Sequence, residues 1–365
     1  MSDVPGLAAS PAAPARATLS DTPRAQGVWR DAWRRYRADR VGMTSLAVVL
    51  AYAVLIVLAV SGLVARDWQA EVGCPDAPTS VAGKAAPAAA AGGLDLTGIA
   101  PSASAPEVDI SDVDPLAPRY KEWNERAAQF ARTQRPLADT LPLGGDRLGR
   151  DVLAKAVKGT QISVSVGLLA AIVATLVGAT LGAIAGFFGG RIGDLIEWFY
   201  NVVTSVPEIL LFFAFAAVFG RGISTLVLIL GLTGWTGQYR QVRAEFIKHA
   251  RREYVRAAEA IGAGSGTRMF RHILPNVSHV ILVRMSLLVV GFIKAEVILS
   301  YLGLGVATDQ VSWGTMLAES QSELILGHWW QLAAATVFMA VFVTAFSLMA
   351  DAWRDALDPK LRGVQ

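Results

Sequence analysis

The stretch Arg256–Val277, "RAAEAIGAGSGTRMFRHILPNV", is basic, studded with glycine and closed by a proline, yet it stands between two long apolar runs. Those flanks set the fold class. With 53% hydrophobic and 17% charged residues in 365, the composition is far from that of a soluble domain. Uncharged runs long enough to cross a hydrocarbon core of about 30 Å occur at Thr44–Val64, Ile162–Phe188, Gly222–Tyr239 and Trp329–Ala350. Two further runs carry charge: Trp198–Phe219 with Glu208, and Val280–Leu302 with Arg284, Lys294 and Glu296. The expectation is an all-α membrane protein of six spans.

Short basic segments stay on the cytoplasmic side. "WRDAWRRYRADR" precedes the first span, and Arg240–Arg271 carries eight Lys/Arg against three Glu, so both are placed inside. An even number of spans then puts both termini in the cytoplasm. The segment between spans five and six, "ATDQVSWGTMLAESQSELILGH", has no Lys or Arg and falls outside. The first span is longer than the apolar core of a signal peptide and reads as a retained anchor. A net charge of +3 reflects this topology and gives no reason to expect a nucleic-acid partner.

The chain divides into a disordered tail over 1–26, a basic segment with the first span over 27–65, and an external loop over 66–147. A core over 148–350 follows, then a cytoplasmic tail over 351–365. The loop contains the low-complexity run "VAGKAAPAAAAGGLDLTGIAPSASAP" and the single cysteine, Cys74, which leaves no intrachain disulfide. In "LGRDVLAKAVKGTQ", Leu148, Val152, Ala156 and Val157 share one helical face, as in an interfacial lead-in to span two.

No catalytic motif is found. "GAGSGT" at Gly262–Thr267 follows no strand and lacks the GxGxxG spacing, and GxxxxGK[ST] is absent. His249, His272, His279 and His328 lack metal-ligand spacing. Covalent chemistry on this chain is not expected.

Read physically, "EYVRAAEAI" is a short helix with Ala257, Ala258 and Ile261 on one side, open to close approach by another surface. Gly262 and Gly264 supply a turn, and a second helical piece from Ser265 ends at Pro275, which lacks a donor and restricts Leu274. Met269 with Ile273 and Phe270 with Leu274 form apolar pairs, while Arg268, Arg271 and His272 stay polar. Such a rigid projection suits a docking surface. An amphipathic hairpin lying on anionic lipid would show the same charges.

The segment resembles the cytoplasmic loop of ABC importer permeases, whose pattern is E-A-A, three residues, Gly, nine residues, Ile, one residue, Leu-Pro. Arg256 stands at the Glu position and His272 at the Ile position, while Ala257, Ala258, Gly262, Leu274 and Pro275 match. "LGRDVL" at Leu148, "GAIAGFFGGRIGD" at Gly182, "LSYLGLGV" at Leu299, "SWGTML" at Ser312 and "DAWRDALDPKLRG" at Asp351 also resemble the C-type membrane subunit of the dipeptide/oligopeptide (peptide/nickel) branch.

The resemblance implies a type I importer fold in the cell membrane. This chain would pair with a homologous permease, sit on two cytoplasmic ATPase subunits that bind ATP and Mg, and receive di- or oligopeptide from an external binding protein. It would carry no cofactor of its own. The loop over 240–277 would be the coupling element, with Glu253, Ala257, Ala258 and Gly262 shaping the docked face, His272 and Pro275 its second half, and Arg268 and Arg271 as polar contacts. Relatives also carry peptide-like antibiotics or metal chelates such as nickel. A secondary transporter or channel is the alternative, favoured by the charges within spans. Among these, Glu208 and Lys294 either pair across spans three and five or face the pathway separately. Glu296, two residues from Lys294, points away from it.

Overall fold

The computed structural model of the chain describes residues 28–80 and 137–357, with positions 119, 122, 123, 125 and 126 between them. The tail over 1–26, the whole low-complexity run (81–106) and residues 358–365 lie outside the described residues. Helices α1 (Val28–Ala38) and α2 (Arg40–Val60) precede the long α3 (Val152–Phe188). Then come α4 (Gly190–Thr204), α5 (Glu208–Phe219), α6 (Ile223–Thr233), α7 (Thr236–Ala250) and α8 (Glu253–Ala260). α9 (Leu274–Tyr301), α10 (Trp313–Ile325) and α11 (Trp330–Leu357) complete the fold. Among the described residues there are no strands, only isolated bridges.

Local chemistry sets the helix starts. The Asp39 carboxylate accepts from the Val41 and Gly42 N–H groups and opens α2, and Asp151 does the same for α3 through Leu153 N–H. Ser312 and Thr315 form a reciprocal capping box at α10. Because Asp151 starts α3, Leu148 lies before the helix and is exposed, while Val152 and Ala156 are fully buried. The expected interfacial lead-in is therefore a protein-packed first turn, with Trp68, Val311, Met316 and Ala335 around it.

α3 is the axis of the molecule. Its 37 residues make a helix about 55 Å long, with α7, α9 and α6 packed along it. The closest contact runs along Gly178, Gly182 and Gly186. A Cβ there would stand 2.6 Å from the Trp235 carbonyl oxygen, 2.7 Å from that of Tyr239 and 2.6 Å from that of Arg243. Four-residue spacing on both helices lets backbone meet backbone where any side chain would hold them apart.

Among the described residues three helices, α2, α3 and α11, are long and apolar enough to cross a membrane, or four if α4 and α5 are counted as one bent span. Two expected spans are interrupted. The run Trp198–Phe219 bends by 81° between α4 and α5, where Pro207 cannot donate and Val206 before it is driven from helical geometry. The run Gly222–Tyr239 breaks at Gly234 and Trp235, with Gly234 pressed against the Phe292 ring.

Two strips, 66–80 and 137–151, form a cap over the start of α3, the C-terminal half of α10 and the start of α11. Bridges join Glu71 to Arg150, Gly73 to Ala138 and Thr79 to Leu141, and Trp330 Nε1–H donates to the Gly145 carbonyl at 2.6 Å. At the other end α1 lays Ala32 and Tyr36 against Ala356 and Leu357 of α11, with Trp353 edge-on to Tyr36. The first and last described helices thus meet on one side.

Candidate functional site

The segment between α7 and α9 folds as a braced hairpin. At the end of α7, His249 Nδ1 lies 2.8 Å from the Tyr254 hydroxyl of α8. Burial holds the His249 imidazole below its usual pKa despite the nearby Glu245, so a neutral ring makes this brace at neutral pH. α8 turns Val255 and Ala258 inward. Val255 joins Ala183 of α3, Phe246, Met269, Ile273 and Val277 in one apolar cluster. Ala257 is exposed, Ile261 is 86% exposed and Phe270 61%. The two alanines expected to share a docking face therefore part company: Ala258 belongs to the hairpin's own packing, and the outer face is made by Ala257, Ile261 and Phe270.

α8 ends in a Schellman arrangement. Gly262 N–H donates to Glu259 O and Ala263 N–H to Ala258 O, both at 2.9 Å. Gly262 has φ +85°, and nothing lies within 4 Å of the position a Cβ would take, so its need for glycine is one of backbone alone. Gly264 takes ordinary extended geometry with φ −66°. The chain then passes through one helical turn, Ser265–Thr267, into a π-helical turn, Arg268–Ile273, where Leu274 N–H reaches back five residues to Met269 O.

Pro275 does not end this piece. The π turn runs directly into α9, and Pro275 occupies the first turn of that helix, where its missing donor leaves no bond unmade. Arg268 pins the turn: its guanidinium lies 2.6 Å from the Glu259 carboxylate and 5.5 Å over the Phe187 ring at the end of α3. It is a brace within the chain. Glu253 and Arg271 are exposed, and His272, half-buried, accepts at its carbonyl from Asn276 Nδ2 at 2.7 Å.

The charges within the apolar runs separate. Glu208, in the first turn of α5, and Lys294, on α9, are both exposed, and neither makes an ion pair among the described residues. The Glu208–Lys294 contact is not formed. Glu208 instead lines a cleft shared with Arg284. Glu296 is fully buried, accepts from the Ser300 hydroxyl at 2.6 Å and lies in the interior behind α10, where Trp313 N–H donates to Ser163 Oγ.

One polar centre had no counterpart in the sequence reading. Beneath the cap, Lys155 of α3 is fully buried, with Asp146 Oδ2 at 2.7 Å, Gln331 Oε1 at 3.1 Å and the Glu319 carboxylate at 2.5 Å. Arg150 adds a second bond to Asp146 at 2.7 Å. Burial alone would raise the Asp146 carboxyl, but the Lys155 ammonium, backbone donation by Arg150 N–H and the Arg150 charge outweigh it and hold it below the usual carboxylate range. The only local signal was a lysine at helical spacing between Val152 and Ala156, with partners up to 176 residues away.

The pattern described as binding-protein-dependent transport system inner membrane component matches residues 178–363, from the glycine seam of α3 through the hairpin to the end of α11. The N-terminal TM domain of oligopeptide transport permease C matches residues 27–68. The chain is similar to the dipeptide transport system permease protein DppC of Bacillus subtilis (37% identity over 219 residues, 60% of this chain and 68% of that protein). It is also similar to the oligopeptide transport system permease protein OppC of the same organism (34% over 247 residues, 68% and 81%). The dipeptide permease DppC of Lactococcus lactis aligns over 332 residues at 27%, covering 91% of this chain and 90% of that protein. A secondary transporter or channel does not fit these matches: the chain belongs to the binding-protein-dependent transport system inner membrane components, the membrane permeases of ABC importers.

Proposed function

We propose that this chain is the C-type permease subunit of a peptide importer, pairing with a homologous permease, resting on two ATPase subunits that bind ATP and Mg, and taking di- or oligopeptide from an external binding protein. The observation that carries the reading is the braced hairpin Glu253–Val277. It is tied inward by Val255, Met269 and Ile273 and by Arg268, and it leaves Ala257, Ile261 and Phe270 uncovered. An ATPase can drive a permease only by binding one conformation better than another, and a stiff coupling element turns that preference into movement. The names of the relatives favour peptide over a peptide-like antibiotic or a nickel chelate.

In this reading six spans cross the membrane: α2, α3, bent α4–α5, interrupted α6–α7, charged α9 and α11. Both termini face the cytoplasm, which agrees with α1 packing on the end of α11. The cap, and with it the loop over 66–147, is external, and the coupling loop over 240–277 is internal. Glu253, Ala257, Gly262, Arg271, His272 and Pro275 shape or border the docked surface, while Ala258 and Arg268 stiffen it from within.

The test is recovery of the ATPases with Ala257→Asp and Ile261→Asp chains at matched membrane levels, alongside peptide uptake. Loss of both is expected, because a charge is forced into an apolar contact. Full recovery and uptake in both variants would refute the docking role and favour a hairpin lying on lipid.

A further inference from the structure

Three clefts follow one another along one face of α9. The first, of about 440 Å³, is lined by Gln241, His279, Arg284, Leu287 and Arg354. The second, of about 280 Å³, shares Arg284 and Leu287 with it and adds Glu208, Phe212, Gly291 and Ala295. The third, of about 250 Å³, shares Glu208, Phe212 and Ala295 with the second and reaches Ile298. From His279 to Ile298 this series covers about 28 Å of helix, close to the thickness of a hydrocarbon core.

An acid and a base meet in the middle cleft without satisfying one another. Glu208 makes no ion pair or side-chain hydrogen bond among the described residues, and Arg284 forms no ion pair and keeps its buried Nε without an acceptor. Room for the guanidinium is made by Gly237 of α7, where a Cβ would collide with Arg284 Nη2. Glu208 stands just beyond the bend at Pro207, at the start of α5, so the break in the span brings a carboxylate into the groove.

We propose that this groove carries the cargo and that Glu208 and Arg284 receive, respectively, the ammonium and carboxylate ends of a zwitterionic peptide. The inference rests on the peptide-importer reading and deepens it. An apolar helix of a second permease covering the groove would leave both charges buried and unpaired, which is heavily penalised away from water. A peptide with free termini brings one charge of each sign. Its ends are the same whatever its side chains, so two opposite charges between apolar walls of Phe212, Leu287 and Ala295 admit many sequences.

The experiment uses the complete transporter, with its ATPases, second permease and binding protein, reconstituted in liposomes and supplied with labelled trialanine. Uptake and ATP hydrolysis are read in parallel. Glu208→Gln and Arg284→Gln are each expected to lower the peptide taken up per ATP hydrolysed by about tenfold or more. The double variant should fall further still. Unchanged uptake in both single variants would overturn the proposal, as would recovery in the double variant, which would mean that the two side chains neutralise each other. Should Arg284→Gln fail to assemble, Arg284→Lys keeps the charge, and a comparable loss in that variant would equally overturn it. Absence of ATP-dependent trialanine uptake by the unsubstituted complex is a separate outcome, and refutes the peptide-importer reading itself.

Discussion

Lys155→Met tests the polar centre beneath the cap. Methionine fills nearly the volume of lysine, so the substitution removes a charge with little cavity. What remains is Asp146, fully buried, holding Arg150 at 2.7 Å and the Leu148 and Arg150 N–H groups at 2.9 Å. Breaking a buried pair by removing one partner costs about 3–5 kcal/mol, and the surviving donors place this case at about 3 kcal/mol. At roughly 2–4 °C per kcal/mol for a core of this size, the unfolding midpoint should fall by about 6–12 °C. Tryptophan fluorescence in detergent follows it, with both proteins heated at one rate because unfolding of such proteins is seldom reversible.

The pH dependence has a definite sign. A carboxyl held low in the folded state contributes stability that is complete above its unfolded value of about 4 and is lost as pH falls through the lower folded value. Without Lys155 the folded value of Asp146 rises, so the gap between the two proteins is widest near neutral pH and narrows on acidification. An unchanged midpoint at neutral pH, or a gap that stays constant into the acid range, would refute the assignment of Asp146 and Lys155 as a mutually stabilising pair.

Gly182→Val should separate α3 from α7, since a Cβ would already lie 2.7 Å from the Tyr239 carbonyl oxygen; a loss of about 1–3 kcal/mol, or failure to accumulate in the membrane, is expected in expression and thermal assays. Gly262→Val should weaken ATPase recovery through backbone strain of about 1–2 kcal/mol, while Gly262→Asn, which tolerates positive φ, should be close to normal. Arg268→Ala frees Glu259 and uncovers Phe187, and should reduce ATPase-coupled uptake while the chain still inserts.

Much of the architecture was legible because apolar length is a local property. α2, α3 and α11 fall where uncharged runs lie, and the hairpin falls where small residues and glycine interrupt them. The direction of a run is not local. Trp198–Phe219 has the composition of one span, and only Pro207 marked the bend that aims Glu208 into the groove. Ala258 and Ala257 are adjacent on a helix that shows one face to its own chain and another outward, and which face belongs to which depends on Phe246 and Met269, residues of other turns. The Lys155 centre was hidden for the same reason: Glu319 and Gln331 lie 164 and 176 residues away.

α3 touches both of the braced regions. Lys155 lies at its start under the cap, and Phe187, under Arg268, lies near its end; their separation of 32 residues (187 − 155) corresponds to about 48 Å of continuous helix. Such a rod has no joint at which to absorb displacement. Rocking it by about 10° about its midpoint carries each end sideways by about 4 Å in opposite senses. The helix therefore ties the hairpin to the cap as the two arms of a balance are tied, and a tilt imposed at one end is felt at the other without any intervening chain of side-chain rearrangements.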